Sequence, residues 1–224
     1  EATLVLPFDE AMSQIPAEMF IQGLYVDLGR IHSICVGAHF AFGHQRQGNV
    51  ELLQRLGQEM NFIVHGLASI SLDDETVSST RIRQAIETGQ LDAAGQMLGR
   101  EYALTGEVIQ GDQRGRELGY PTANLEVDGL CLPPNGVYAA HAQVGETTHR
   151  AAVNIGLRPT IADAEPSLHV EAHLLDFEGD LYGQPLALTF VGKLRDETKF
   201  DSLDTLKTQI EKDLVSARYL FTQL

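Results

Sequence analysis

The sequence predicts an α/β segment followed by a small all-β barrel that a carboxy-terminal helix closes. Three observations predict this. Up to about residue 97, short apolar runs alternate with amphipathic helical patterns, as in a βαβ arrangement with parallel strands. Beyond it, strand-like segments follow one another with Gly, Pro and Asp between them. The end of the chain then returns to apolar residues spaced by three and four. The expected domains are therefore 1–97 and 98–224.

In the first domain a helical pattern at about 16–28 precedes Ser33-Ile34-Cys35-Val36-Gly37. A second, at about 49–59, precedes Asn61-Phe62-Ile63-Val64. Both apolar runs are expected to be short buried strands. Val77-Ser78-Ser79-Thr80-Arg81-Ile82-Arg83 then leads into a helix ending near Gly89. Ser78, Ser79 and Thr80 offer capping oxygens, while free N–H groups with Arg81 and Arg83 can hold an anion. Ordinary N-capping beside solvated arginines explains the same residues.

In the second domain the expected strands are Leu104–Ile109, Val137–Val144, His149–Ile155, Leu168–Leu175 and Leu186–Val191. Five or six antiparallel strands in so short a stretch are expected to close, because closure removes unpaired edges. Asp201 or Ser202 can cap the final helix. Its stripe Leu203, Leu206, Ile210, Leu214, Ala217 and Phe221 reads as a packing face against the barrel.

Composition narrows the function. The chain has 224 residues, 43% apolar and 21% charged, as ordinary soluble proteins do. No apolar run approaches the roughly 18 residues that span a membrane, and no signal peptide is visible. Glu1 is not an initiator methionine, so a fragment or a processed form is expected. The net charge of −15 argues against a nucleic-acid surface. An acidic protein that binds polyphosphate must concentrate positive charge locally, and Arg114, Arg116, Arg81 and Arg83 are placed to do so. No lysine precedes Lys193. Cys35 and Cys131 fit no metal spacing and read as reduced thiols of a cytoplasmic protein.

The most informative stretch is Gly111-Asp112-Gln113-Arg114-Gly115-Arg116-Glu117-Leu118-Gly119-Tyr120-Pro121-Thr122-Ala123-Asn124. Glycines let a backbone approach phosphates, and arginines neutralise them. If the chain is extended after Pro121, Thr122 and Asn124 share a face, and their oxygens can hold a hydrated Mg²⁺. A glycine-rich hairpin with surface arginines is the plainer alternative. Further on, Leu168-His169-Val170-Glu171-Ala172-His173-Leu174 alternates, placing His169, Glu171 and His173 together. Those three read as a transition-metal site, a solvated outer face or the setting of a carboxylate base. Tight chelation is awkward, because same-face strand residues lie roughly 7 Å apart.

The core Gly-Arg-x-Leu-Gly-Tyr-Pro-Thr-Ala-Asn resembles the signature of riboflavin kinases. Leu98-Gly99-Arg100-Glu101-Tyr102, Pro134-Asn135-Gly136-Val137-Tyr138, Asn154-Ile155-Gly156-Leu157-Arg158-Pro159-Thr160, Asp180-Leu181-Tyr182-Gly183 and Leu194-Arg195-Asp196-Glu197-Thr198-Lys199-Phe200 follow the same pattern. The chain thus resembles the bacterial bifunctional riboflavin kinase/FMN adenylyltransferase (FAD synthetase) family from about residue 98 to its end. The resemblance implies a six-stranded Greek-key barrel with a closing helix. It implies ATP-dependent phosphorylation of riboflavin to FMN, with Mg²⁺, and adenylylation of FMN to FAD by the whole parent protein.

Glu171 occupies the position of the family's catalytic glutamate. Gly111, Arg114, Gly115, Arg116, Gly119 and Pro121 would then attend the ATP phosphates, and Thr122 and Asn124 the metal. Arg195, Lys199 and Phe200 would form a lid over the flavin, although an ordinary charged loop with an apolar anchor reads equally well there. In the first domain, Ser78–Arg83 corresponds to the adenylyltransferase's ATP-phosphate segment. Val36-Gly37-Ala38-His39-Phe40-Ala41-Phe42-Gly43 resembles a stretch near that domain's nucleotide and flavin site, with His39 and Ala41 departing from the usual residues. The family's His-x-Gly-His motif is absent and is expected upstream of Glu1. Residues 1–97 are therefore expected to be the later part of a Rossmann-like nucleotidyltransferase, unable to transfer AMP alone. The alternative to catalysis is a flavin- or nucleotide-binding module with a decayed adenylyltransferase segment.

Overall fold

The computed structural model describes residues 2–111, 113–158 and 167–223. The chain divides into two compact units, Glu1–Val77 and Ser78–Leu224.

The first unit runs α1 (Glu10–Ser13), α2 (Ala17–Leu28), β1 (Ser33–Gly37), α3 (Val50–Met60), β2 (Ile63–Leu67) and a hairpin of β3 (Ser71–Leu72) and β4 (Glu75–Thr76). The Asn49 side chain caps α3, accepting from the Leu52 N–H at 2.8 Å, and Asn61 ends it in the left-handed conformation. β1 and β2 pair in parallel from Ser33↔Ile63 to Gly37↔Leu67, as βα alternation requires. Ile34, Val36 and Val64 pack toward Ile21, Phe42, Leu53, Leu56 and Phe62. These strands are not buried as expected: Ile63 and Leu67 remain 53% and 56% exposed. Parallel strands bury both faces only when layers cover both, and here helices cover one.

The second unit begins with α4 (Ser79–Glu87) and α5 (Leu91–Leu98), packed together through Ala85, Ile86 and Ala94. It continues through β5 (Ala103–Ile109), α6 (Arg114–Leu118), β6 (Ala123–Leu125), β7 (Gly136–Val144), β8 (Thr147–Arg158), β9 (Ser167–Leu174), β10 (Pro185–Arg195) and α7 (Leu203–Leu220). Six strands close in the order β10-β5-β6-β9-β8-β7, with every pairing antiparallel. Inward positions carry Leu104, Val108, Tyr138, Val153, Ile155, Val170, Leu186 and Leu188 together with Ala123, Ala140, Ala142, Ala151 and Ala172. A six-stranded barrel is narrow, and the alanines fit its interior.

Ser202 caps α7 in a capping box with Thr205. Ala217 seats the helix on Ala139 and Ala152 of the outer barrel wall. One expectation for this helix needs correction: Leu203 is 68% exposed and stands off the packing stripe. Asp213, in phase with that stripe, is buried.

Candidate active site

The catalytic candidates sit on the outer wall of the barrel. Val170 and Ala172 of β9 fill the interior, so alternation turns His169, Glu171 and His173 outward. They do not form a solvated face, because α6 and α7 rise over that wall and leave a cavity of about 370 Å³. His169, Glu171, His173, Asn154 and Thr122 lie on its barrel side, and Leu206, Ile210 and Leu214 on its α7 side. Among the described residues no three His, Cys, Asp or Glu side chains converge to hold a metal ion.

Register fixes the centre of the site. Glu171 pairs with Asn124 on one side and Asn154 on the other, which sets a carboxylate between two amides on one face. Toward one end of β9, His173 Nδ1 lies 2.8 Å from the Pro121 carbonyl. A carbonyl only accepts, so this nitrogen donates, and the ring is held edge-on to Tyr120. Toward the other end, His169 pairs with Gly156, against which the Glu197 carboxylate lies. His169 Nδ1 is sealed from solvent with no hydrogen-bond partner among the described residues. An orphaned buried group of this kind costs about 1–3 kcal/mol.

Glycine allows the Gly111–Gly119 segment to lie close. A Cβ on Gly111 would stand 2.4 Å from the Asn124 amide, and one on Gly115 would stand 2.5 Å from the Tyr120 carbonyl and 3.1 Å from Thr122 Oγ1. Part of the expected open loop is the short helix α6, entered by Gln113 and left by Gly119, both at positive φ. The Tyr120 hydroxyl donates to Glu211 of α7 at 3.0 Å and so links this segment to the helix. Burial and then the Glu211 carboxylate raise the tyrosine above the ordinary phenol range.

Arg195 is held from below. Its guanidinium donates to Asp213 of α7 at 2.7–3.1 Å, and Gln209 Nε2 donates to the same carboxylate at 2.8 Å. The guanidinium lies 5.7 Å from the centre of the Phe200 ring. Arg195 and Phe200 both border the cavity, whereas Lys199 does not.

A second cavity, of about 230 Å³, lies between β6, β9 and the Phe177–Tyr182 turn, and Arg116 and Pro121 line it. Asp180 shapes that turn by accepting from the Tyr182 N–H at 3.0 Å. Thr122 borders both cavities.

The structure thus gathers Gly115, Arg116, Pro121, Thr122, Glu171, Arg195 and Phe200 around two adjoining spaces. Gly111 and Asn124 line neither cavity, although Asn124 lies opposite Glu171 in register. Gly119 lines neither cavity, and the Arg114 side chain and Pro159-Thr160 lie outside the described residues. Ser78, Ser79, Thr80, Arg81 and Arg83 are elsewhere, at the start of α4, where Ser78 Oγ accepts from the Arg81 N–H at 3.2 Å. His39 is exposed in a turn, and Ala41 is half-buried between Phe40 and Phe42, whose rings stack at 5.4 Å.

Sequence reasoning assigned no role to Asn154, Tyr120 or Asp213. Asp213 carried a usable signal, a carboxylate in phase with Ile210 and Ala217 on an apolar stripe.

Comparisons with known proteins place the chain among flavin-nucleotide enzymes. A family model described as riboflavin kinase matches residues 98–221, and one described as FAD synthetase matches residues 1–81. A bifunctional riboflavin kinase/FMN adenylyltransferase of Pseudomonas fluorescens is 37% identical over 220 residues, covering 98% of this chain and 70% of that protein. One from Escherichia coli strain K12 is 38% identical over 219 residues, covering 97% and 69%. Among solved structures, a macrolide-efflux protein from Streptococcus pneumoniae superimposes with a TM-score of 0.72 and 31% identity over 94% of this chain and 67% of its own. Among the described residues no helix is long and apolar enough to cross a membrane.

Proposed function

The chain belongs to the bifunctional riboflavin kinase/FMN adenylyltransferase family, and on that basis we propose that its barrel transfers the γ-phosphoryl group of ATP to the terminal ribityl hydroxyl of riboflavin, giving FMN and ADP. The observation that carries the assignment of roles is Glu171, set between Asn124 and Asn154 on the wall of a cavity that meets a second cavity at Thr122. Riboflavin occupies the larger space, with its ring toward Arg195 and Phe200. ATP occupies the smaller, with its phosphates toward Arg116 and the Gly111–Gly119 segment, Arg114 included.

Phosphoryl transfer asks a protein mainly for positioning and charge neutralisation. Glu171 accepts the proton of the attacking hydroxyl, and Asn124 and Asn154 hold that carboxylate in place. His173, fixed by the Pro121 carbonyl, keeps the Tyr120–Thr122 stretch against β9. The helix α7 and the Tyr120–Glu211 link keep bulk water from the reacting groups.

Thr122 and Asn124 are the residues that would hold Mg²⁺. They supply the neutral oxygen donors a hard cation favours, beside Glu171 and under two glycines whose missing Cβ atoms leave the approach open. When bound, the ion neutralises charge on the phosphates.

The domains are taken as 98–224 for the kinase and 1–97 for adenylyl transfer from ATP to FMN, with Ser78, Ser79, Thr80, Arg81 and Arg83 attending ATP phosphates. Lys199 is assigned to the lid over the flavin. A cytoplasmic location suits these substrates.

The test is to incubate the chain with riboflavin and MgATP, and separately with FMN and MgATP, and to resolve the flavins by chromatography. FMN in the first tube is the expected result. Its absence from folded protein would remove the kinase reading.

A further inference from the structure

We propose that His169 is a specificity-determining residue of the kinase site, one that reads the ribityl hydroxyl nearest the isoalloxazine ring by donating to it from Nε2. This rests on the kinase reading above and adds a residue to it.

Position along β9 comes first. His169 and Glu171 face the same cavity, two residues and therefore about 7 Å apart. An extended chain advances about 1.2 Å per bond, so the carbon bearing the ring-proximal hydroxyl, four bonds from the terminal oxygen, lies about 5 Å from it. With the terminal hydroxyl at Glu171, the ring-proximal hydroxyl falls within hydrogen-bond reach of the His169 ring. The direction is set as well. The His173 end of the strand adjoins Pro121 and Tyr120, and the His169 end adjoins Glu197, in the segment that runs from Arg195 to Phe200. His169 is thus on the ring side of the reacting hydroxyl.

The chemistry of the ring comes second. Nδ1 is sealed in the protein without a partner among the described residues, so Nε2 is the nitrogen available to a ligand. A sealed lone pair is tolerated more readily than a sealed N–H. The ring proton therefore belongs on Nε2, which makes that nitrogen a donor suited to a hydroxyl oxygen. The wall around it is firm. Gly156, opposite His169 in register, has the Glu197 carboxylate against it, and Glu197 in turn accepts from Asn135 Nδ2 at 3.0 Å.

The experiment uses the full chain with riboflavin and with its 2′-deoxyribityl analogue, comparing the unaltered protein with His169→Leu and His169→Gln. One neutral hydrogen bond corresponds to about tenfold in kcat/KM. The unaltered protein is expected to favour riboflavin by about that factor. His169→Leu should lose the preference through a higher KM for riboflavin, with kcat and the analogue's constants unchanged, and His169→Gln should restore part of it. Circular dichroism confirms folding, and His169→Ser replaces the leucine variant if that one does not fold. Equal losses for both flavins, or an undiminished preference in the leucine variant, would overturn the proposal while leaving the kinase reading intact. Phosphorylation of neither flavin by the unaltered protein would remove both.

Discussion

At the scale of single residues, the site depends on groups that neighbouring strands hold still. Glu171 has an amide on each side in register, so its replacement should change chemistry more than shape. Glu171→Gln is expected to lower kcat by about 10²–10⁴ while riboflavin binding, read by flavin fluorescence, stays near normal. Asp213 does the opposite kind of work. It is 7% exposed and carries the Arg195 fork, so Asp213→Ala leaves a guanidinium without its counter-charge. A loss of about 3–5 kcal/mol in denaturant unfolding is expected. Its role was hidden in the sequence because a lone carboxylate on an apolar stripe does not reveal its partner. Arg195 lies 18 residues away, and only the packing of α7 on the barrel wall joins them. The outward place of Glu171 was legible in period-two alternation, while its role as a base is what the family resemblance implies.

At the scale of elements, strong patterns were readable and short or strained ones were not. The five longer barrel strands and α7 were visible in apolar periodicity, and Ser202 was one of two expected caps. The strand β6, with three residues, is too short for alternation to register, and α6 runs through a glycine-bearing stretch that reads as loop. Both owe their conformation to what they lie against. That dependence is testable at Gly115. An added methyl meets the Tyr120 carbonyl, a backbone atom that cannot swing aside. Gly115→Ala should displace α6 at a cost of about 1–3 kcal/mol, seen as a higher KM for MgATP with an unchanged far-ultraviolet spectrum. The cap is separable: Ser202→Ala should cost about 0.5–2 kcal/mol of stability.

For the whole molecule, the two units carry unequal cores. Among the described residues, six buried apolar ones centre the first unit, whereas sixteen fill the barrel. Hydrogen exchange should therefore show α2 and α3 opening at lower denaturant than β7–β9. Alkali gives a second global test. Desolvation first of all raises Tyr102 and Tyr138 to about 12, and their hydroxyls donate to the Cys131 and Pro134 carbonyls. A folded-state value above the unfolded value of about 10 means that the unfolded chain gives up these protons first. Their contribution is complete below about pH 10 and is lost as pH rises toward 12. Tyr102 and Tyr138 should accordingly ionise late, as should Tyr120, which is raised as well, with the barrel's thermal midpoint falling across the same interval.

The packed bore of the barrel has a consequence for redesign. The larger cavity is walled by the outside of the strands and by borrowed pieces, α6 and α7, whereas the smaller one also reaches the inward Val108, Ala123, Ala172 and Leu174. Outward positions on β8 and β9 can therefore be varied without repacking the interior. The cylinder becomes a chassis, and substrate range a property of the bodywork bolted to it.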